Sequence, residues 1–241
     1  LLLPIGFGAI MVNLPNSGAI TQIHNGVAEP GALSVLFDAG ISNELFPLIL
    51  FIGIGAMIDF GPLLSNPKLM IFGAAAQFGI FITYALASIF FEPEVAASIG
   101  IIGAADGPTA ILVAQKVMSN YLGPIMVVAY SYMALVPIVQ PAVIKACTTK
   151  KERRIRMKYN AKQISKPMRI FFPIIVTVVS GLIAPDSLSL VGMLMFGNLI
   201  KEIGSDTSRL FDAAANSIMN AATIFLGLSV GATMTSEAFL N

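Results

Sequence analysis

The sequence predicts an all-α, polytopic membrane protein with broken or re-entrant helices and inverted repeats. Hydrophobic residues make up 56% of the 241 positions and charged residues only 11%, whereas a soluble domain carries about 25% charged residues. Apolar runs follow one another along almost the whole chain, and one of them places an aspartate, a glycine and a proline at its centre. We therefore expect residues 1–241 to form a single integral membrane domain.

Composition and motifs argue against several other classes. No ten-residue alternation of polar and apolar residues recurs, so strands are not expected. The net charge of +1 provides no basic footprint for nucleic acid, and we expect no nucleic-acid partner. The sequence contains no Walker A loop, dinucleotide fingerprint or nucleophile elbow. ATP-driven transport by this chain alone is therefore not expected.

The apolar runs set the predicted helices in chain order. They cover residues 1–14, 45–60, 68–91, 95–118, 121–146, 167–184, 187–200 and 219–236. Because a helix needs about 20 residues to cross the hydrocarbon core, segments 68–91 and 121–146 are comfortably long enough, while 1–14 and 187–200 are short. Segment 26–43 is more mixed in character, and we expect it to lie at the membrane interface.

A basic loop sets the predicted orientation. Ten of the 14 lysines and arginines lie between Lys145 and Arg169. By the positive-inside rule we expect this loop, 145–169, to be cytoplasmic in a multi-pass membrane protein. The same loop could instead dock a partner or anionic lipid. We favour the topological interpretation because short basic loops are the normal orientation signal.

Two pairs of segments resemble each other within the chain. LFIGIGAMIDFGPLLSN resembles LGLSVGATMTSEAFLN, which pairs Gly55–Ala56 with Gly231–Ala232. A weaker match of GFGAIMVNL with GMLMFGNLI pairs Asn13–Leu14 with Asn198–Leu199. These pairs favour an inverted-repeat transporter architecture, which places the site near the membrane midplane. The alternative is that the segments share only a glycine-rich apolar composition.

On this interpretation the chain divides into two repeats of unequal length. Residues 1–144 form the first repeat and contain the broken helix, and residues 170–241 begin a second repeat that is truncated. The sequence opens LLLPIGFG without an initiator methionine and stops at TSEAFLN directly after an apolar segment. We therefore expect a fragment of a longer protein.

The apolar run 95–118 carries the candidate site in the stretch GAADGPT. A carboxylate at the bilayer centre costs roughly 2.5–3.5 kcal/mol, so an aspartate kept there predicts a function. Pro108 breaks the helix and pushes Gly107 toward an extended conformation. The Asp106 carboxylate, the Thr109 hydroxyl and free carbonyls such as that of Gly107 would then offer the hard oxygen ligands that Na⁺ requires. The alternative is that Asp106 only caps the second half-helix, with Pro108 in its first turn.

The following run supplies a candidate partner in Tyr132. Tyr132 lies about 16 Å along the helix axis from Tyr121, which is too deep for the interfacial aromatic belt. A buried phenol needs a hydrogen-bond partner, and this one could ligate an ion or deliver a proton. A tyrosine satisfied by a neighbouring carbonyl is an equally good interpretation. Because Tyr130 lies on nearly the opposite helix face, only one of the two can face Asp106, and we expect it to be Tyr132.

Two other polar residues are weaker candidates. Asp59 ends its apolar run and is expected to be an interfacial cap. His24 lies in a polar loop, and the sequence has no second histidine with which to form a familiar metal cluster.

The motifs GAADGPTAILVAQKV, AYSYMALVPIVQPAVIKA and KKERRIRM resemble the β subunit of the bacterial sodium-pumping, biotin-dependent decarboxylases. LPIGFGAIMVNLP and GIGAMIDFGPLLSNP look like its amino-terminal half, so the resemblance covers almost the whole chain. The family includes oxaloacetate, methylmalonyl-CoA, glutaconyl-CoA and malonate decarboxylases. The family's later membrane motif, rich in Asn, Gly and Ser, is absent from this sequence, so we expect only part of the site here.

The resemblance implies a membrane carboxybiotin decarboxylase coupled to Na⁺ export. Asp106 matches the family's essential intramembrane aspartate, and Tyr132 matches its implicated tyrosine. The implied partners are carboxyltransferase and biotin-carrier subunits, which bring carboxybiotin to the membrane, and a small membrane subunit. Membrane lipid surrounds the complex, and an oligomer is expected. The alternative function is an ion-coupled secondary transporter without decarboxylase activity.

Overall fold

The computed structural model is almost entirely helical. It describes residues 2–24, 26–104, 106–117, 121–156 and 164–236, and the statements below concern these residues. The α-helices are α1 (Leu2–Asn13), α2 (Ala32–Gly40), α3 (Leu45–Met57), α4 (Gly61–Ser65), α5 (Met70–Ala87), α6 (Pro93–Ile102), α7 (Gly107–Lys116), α8 (Leu122–Cys147), α9 (Lys166–Ile183), α10 (Leu188–Ile203), α11 (Ser208–Asp212) and α12 (Met219–Ala232). A π-helical segment, Ala213–Ile218, joins α11 to α12. The predicted all-α class is confirmed.

The expectation that the chain has no strands was wrong in one place. Strands β1 (Gln22–His24) and β2 (Val27–Glu29) form an antiparallel hairpin in which Gln22 pairs with Glu29. Each strand has three residues, so a search for membrane-length alternation misses it. The turn contains Gly26 at a φ of 80°, a conformation that glycine adopts without a steric penalty. The Asn-Gly dipeptide in the sequence is itself a hairpin signal.

The length of the helices supports a polytopic membrane protein. Three described helical segments are long and apolar enough to cross a membrane, namely Pro67–Ala87, Lys166–Ile183 and Ser205–Ala232. Two bent pairs raise the number to five if each pair is one span. One is α2 with α3, bent by 60°, and the other consists of the two halves of α8, bent by 54°. The fold class predicted from composition is therefore confirmed as an all-α membrane protein.

The bend in α8 follows from a proline. The two halves are Gly123–Met133 and Leu135–Cys147. Pro137 lies inside the helix, where it cannot donate a backbone hydrogen bond and its ring collides with the carbonyl four residues earlier, that of Met133. Sharp kinks in helices have such local causes. The proline therefore accounts for a bend that begins at Met133.

The mixed segment 26–43, expected at the interface, contains β2 and α2. Helix α2 packs against α12, and Leu33 and Ile41 are buried.

Helix α5 lies outside the hydrophobic core, since none of the residues in its most apolar stretch is buried within the chain. The hydrophobic core thus lies among α1, α3, α7, α8 and α12, and α5 is outside it.

Helices α3 and α10 approach each other through glycines. A Cβ on Gly55 would overlap the carbonyl oxygen of Leu194, and a Cβ on Gly197 would overlap that of Ile52. Small residues let membrane helices come into close backbone contact, which replaces the missing hydrophobic driving force between helices in lipid. The glycines are therefore required by the packing of α3 on α10.

Helices α1 and α12 repeat this contact. A Cβ on Gly231 would overlap the carbonyl oxygen of Ile5, and a Cβ on Gly8 would overlap that of Leu228. Gly231 is the residue that the sequence comparison paired with Gly55. The contact of α1 with α12 is thus a counterpart of the contact of α10 with α3.

The paired asparagines make equivalent hydrogen bonds across these two contacts. The Asn198 amide donates to the carbonyl of Ile58 at 3.0 Å, and the Asn13 amide donates to that of Met234 at 2.7 Å. Ile58 and Met234 each lie three residues after the paired glycines. Shared composition does not explain such reciprocal bonds, so the internal similarity has a structural counterpart. The repeat boundaries and the inverted orientation of the repeats stay predictions.

Candidate functional site

The helix predicted to break within 95–118 does break. Helix α6 ends at Ile102 and α7 begins at Gly107. Gly103 and Ala104 continue in tight turns, with the Ala104 N–H donating to the carbonyl of Ile101 at 3.0 Å. Each half has ten residues, which is about 15 Å of helix or half of a hydrocarbon core. The predicted interruption of the helix is confirmed. The extended conformation expected of Gly107 is not, because Gly107 is the first helical residue of α7 and Asp106 is extended instead.

Asp106 occupies the residue before α7, with extended backbone angles of φ −130° and ψ 105°. Its carbonyl accepts the first helical hydrogen bond, from the Ala110 N–H at 3.0 Å, and its carboxylate accepts a hydrogen bond from the Thr109 hydroxyl. Pro108 lies in the first turn. Asp106 thus stands at the N-cap position, and an ion site is compatible with it because a carboxylate has more acceptor positions than one hydroxyl uses.

The residues around the break are closely packed. Gly107 and Pro108 are buried, and Asp106 and Thr109 are partly buried. A Cβ on Gly107 would overlap the ring of Tyr130, so only glycine permits this approach. The Gly107 N–H lies 3.3 Å from the sulfur of Met133. Helix α8 therefore closes one side of the break.

The two tyrosines of α8 are placed differently from the expectation. Tyr130 is 5% exposed and packs against Gly107, next to Asp106. Tyr132 is 43% exposed. The expectation that Tyr132 is the tyrosine facing the break is therefore corrected, because the packing of α8 on α7 turns Tyr130 inward. The chemical role that the family resemblance assigns to Tyr132 stays a prediction.

A cavity of about 550 Å³ lies beside the break. Pro108, Tyr130 and Met133 line it, together with residues of α1, α3 and α12 such as Thr223. Most of its lining side chains are apolar. The Tyr130 hydroxyl is buried, and no described residue forms a hydrogen bond with it. The described residues hold no cluster of three or more His, Cys, Asp or Glu side chains. The carboxylate of Asp106 and the hydroxyl of Thr109 are two hard oxygen donors that the structure brings together at the break, and Tyr130 and Thr223 add a hydroxyl each to the cavity lining.

A second polar cluster was missed from the sequence. Asp59, Lys166, Arg169, Lys201 and Glu202 line a cavity of about 470 Å³. Lys201 donates to a carbonyl at the end of α3 at 2.8 Å. Arg169 and Glu202 form a loose ion pair at 3.8 Å. The carboxylate of Asp59 accepts the N–H of Gly61, the first residue of α4, at 2.9 Å, although Phe60 is the N-cap residue of this helix. The expected position of Asp59 at the membrane interface stays a prediction. The cluster joins α3, α9 and α10, and no local sequence pattern shows that contact.

Comparison with known proteins identifies the family. The model of the Na⁺-transporting oxaloacetate decarboxylase beta subunit matches residues 1–241. The chain is 49% identical over 259 residues to the methylmalonyl-CoA decarboxylase subunit beta of Propionigenium modestum, covering 100% of this chain and 65% of that relative. It is 45% identical over 242 residues to the glutaconyl-CoA decarboxylase subunit beta of Acidaminococcus fermentans, covering 100% and 62%.

The oxaloacetate decarboxylase beta chain of Klebsiella pneumoniae is 40% identical over 296 residues, with 100% of this chain and 68% of that relative covered. The chain thus spans about two thirds of the length of the curated relatives it matches. The matches include relatives named for three different decarboxylases, as the sequence motifs predicted. The chain belongs to the family of Na⁺-transporting oxaloacetate decarboxylase beta subunits.

Proposed function

We propose that this chain is part of a membrane decarboxylase subunit that couples the decarboxylation of carboxybiotin to Na⁺ export. One observation carries the proposal: a helix broken inside an apolar segment presents Asp106 with a single hydroxyl donor, beside a largely apolar cavity. An ionisable group at such a site is conventionally functional, because keeping it there is costly. The family membership supports the class of reaction.

In this proposal Asp106 supplies the negative charge that binds either Na⁺ or a proton. The Thr109 hydroxyl, which already donates to Asp106, keeps its oxygen lone pairs for the cation. The carbonyl of Gly107, the first residue of α7, is the further oxygen that this proposal assigns to the cation. Tyr132 contributes through the role that the resemblance gives it. Decarboxylation of carboxybiotin takes up one proton and releases biotin and CO₂. A carboxylate that exchanges Na⁺ for a proton can link that uptake to ion movement.

The partners follow from the same proposal. A carboxyltransferase would load biotin on a carrier subunit, which brings carboxybiotin to this subunit, and a small membrane subunit and further copies would complete the complex. The basic segment after α8 would face the cytoplasm of the bacterial cell. Its first turn is ordered by Thr149, whose backbone N–H donates to the Glu152 carboxylate at 2.7 Å. This hydrogen bond, with that of the Thr149 hydroxyl, lowers the pKa of the Glu152 carboxyl.

The test compares Asp106→Asn with Asp59→Asn in the assembled decarboxylase. Asp106→Asn should lose Na⁺-stimulated decarboxylation, because a neutral amide cannot balance a cation in a site of low dielectric. Asp59→Asn should retain it, since Asp59 caps a short helix at a surface. Decarboxylation is measured across a Na⁺ titration, with and without avidin to sequester biotin. Wild-type Na⁺ dependence in Asp106→Asn contradicts the proposal, and avidin-insensitive Na⁺ transport favours a secondary transporter.

A further inference from the structure

Tyr130 carries a buried polar group that the proposed function does not use. Its side chain is 5% exposed and belongs to the central hydrophobic cluster with Ile111 and Met126. Its hydroxyl is buried and has no hydrogen-bond partner among the described residues. Buried hydroxyls in native structures are normally paired, because an unpaired one pays the full cost of leaving water. The position of this hydroxyl therefore calls for an explanation.

The position of the ring places the hydroxyl at the break. The ring atoms that would overlap a Cβ on Gly107 include Cζ, the carbon that carries the hydroxyl. Gly107 follows Asp106 directly, and its N–H contacts Met133, one turn after Tyr130 on α8. Tyr130 also lines the cavity beside the break together with Pro108. The ring of Tyr130 thus packs against the residue that follows Asp106 and lines the cavity beside the break.

A structural role explains the ring and leaves the hydroxyl unexplained. The ring fills the core against α7, and a phenylalanine would fill the same space without an unpaired donor. A hydroxyl retained at such a cost is typical of a group that acts on a ligand. In a cavity lined mainly by apolar side chains, a neutral phenol oxygen is one of few hard oxygen donors available to a cation.

We propose that Tyr130 is a further Na⁺-binding residue, whose phenol oxygen ligates, directly or through one water, the Na⁺ that Asp106 balances. This role rests on the proposed function. Tyr130 then sets the affinity of the site for Na⁺. Since a neutral ligand does not take part in proton exchange, Tyr130 leaves the maximal rate of decarboxylation to other groups.

The experiment uses the assembled decarboxylase with Tyr130→Phe, which keeps the ring and removes only the hydroxyl. Tyr84→Phe is the matched control, because Tyr84 lies on α5, is 38% exposed and contacts α6 instead of the break. In Tyr130→Phe the Na⁺ concentration for half-maximal decarboxylation should rise about tenfold, the usual effect of losing a bond to a charged group. The maximal rate should change less than about twofold, and the control should match the wild type in both.

Thermal unfolding separates this role from a structural one. Without Na⁺, Tyr130→Phe should be as stable as the wild type or more stable, because an unpaired buried hydroxyl has been removed. The rise in midpoint temperature on adding NaCl should be smaller than in the wild type, because weaker binding stabilises less at a given concentration. Choline chloride at the same ionic strength serves as the reference salt.

Each contrary result has a distinct meaning. A Tyr130→Phe complex with lower stability in the absence of Na⁺ and an unchanged Na⁺ titration would show that the hydroxyl is structural and overturn the inference. A lower maximal rate at unchanged Na⁺ affinity would overturn it as well, since it assigns the hydroxyl to proton transfer. A wild-type complex without any Na⁺ dependence would overturn the proposed function and this role together.

Discussion

Within the described part of the chain, α3 and α6 both end inside apolar sequence, α3 at Met57 and α6 at the break before Asp106. The polar groups at the two ends differ in how many of them have a hydrogen-bond partner. At the end of α3, Asn198 donates to the carbonyls of Gly55 and Ile58, and Lys201 donates to Ile58 as well. Asn198 is 1% exposed. The carbonyls that a helix end leaves open are thus satisfied by another helix.

The break is satisfied much less completely. The Asp106 carboxylate accepts a hydrogen bond from the Thr109 hydroxyl. The Tyr130 hydroxyl has no hydrogen-bond partner within the part of the chain that the structure describes. Both places bury polar groups in apolar surroundings, so the cost of burial does not distinguish them. The pairing does. A buried polar group with a hydrogen-bond partner in the fold stabilises the fold, whereas an unpaired one is available to bind a ligand.

The largest loss of stability is expected for a substitution of Gly55, at the contact between α3 and α10. Gly55→Ala would drive a Cβ into the backbone carbonyl of Leu194, which cannot turn aside as a side chain can. We expect a loss of about 3 kcal/mol, at the upper end for an overpacked site. The control is Gly73→Ala in α5, where a Cβ meets nothing within 4 Å. Thermal unfolding in detergent measures both, and equal stability of the two variants would show that α3 and α10 are less closely packed.

The asparagines should give an intermediate and graded effect. Asn198→Ala leaves the carbonyl of Gly55 without a side-chain donor and that of Ile58 with Lys201 alone. In a buried contact this costs about 2 kcal/mol. Asn13→Ala removes the equivalent bond to Met234 at an exposed position, where water can replace it, and should cost about 1 kcal/mol or less. Chemical unfolding of the two variants gives the difference. A larger loss for Asn13→Ala would reverse the order that burial predicts.

The smallest loss of stability is expected at the break. Asp106→Asn removes a partly buried charge that the fold does not pair, so stability in Na⁺-free buffer should stay within about 0.5 kcal/mol of the wild type or increase. Unfolding of purified protein without Na⁺ measures it. A loss as large as that of Asn198→Ala would show that Asp106 holds the fold together, and the contrast between the two helix ends would disappear.

The sequence predicts those features of the fold that depend on local chemistry. Each long apolar run contains a helix, and the run 95–118 is interrupted just before Pro108, although the extended residue is Asp106 and not Gly107. The hairpin at Gly26 has a local signal too, but it is too short for a search at membrane length. These elements depend on a few neighbouring residues, which is why composition and spacing suffice for them.

The remainder depends on which faces meet. Helical spacing shows that Tyr130 and Tyr132 point to different sides, but the packing of α8 on α7 decides which of them reaches the break. The reciprocal bonds of Asn13 and Asn198 were visible as a similarity, and their partners were not. The cluster around Arg169 joins the end of α3 to α9 and α10, which are far from α3 in sequence, so no local pattern predicts it.

The hydrogen bond between Asn13 and Met234 joins residues 221 positions apart, and that separation has a consequence for biosynthesis. A ribosome adds about 5–20 residues per second, so α1 is made roughly 10–45 seconds before the helix that it packs against. Closing so long a loop adds little to the free-energy cost but slows the search for the contact. Helix α1 is therefore synthesised before its partner α12, and the contact between them can form only after that delay.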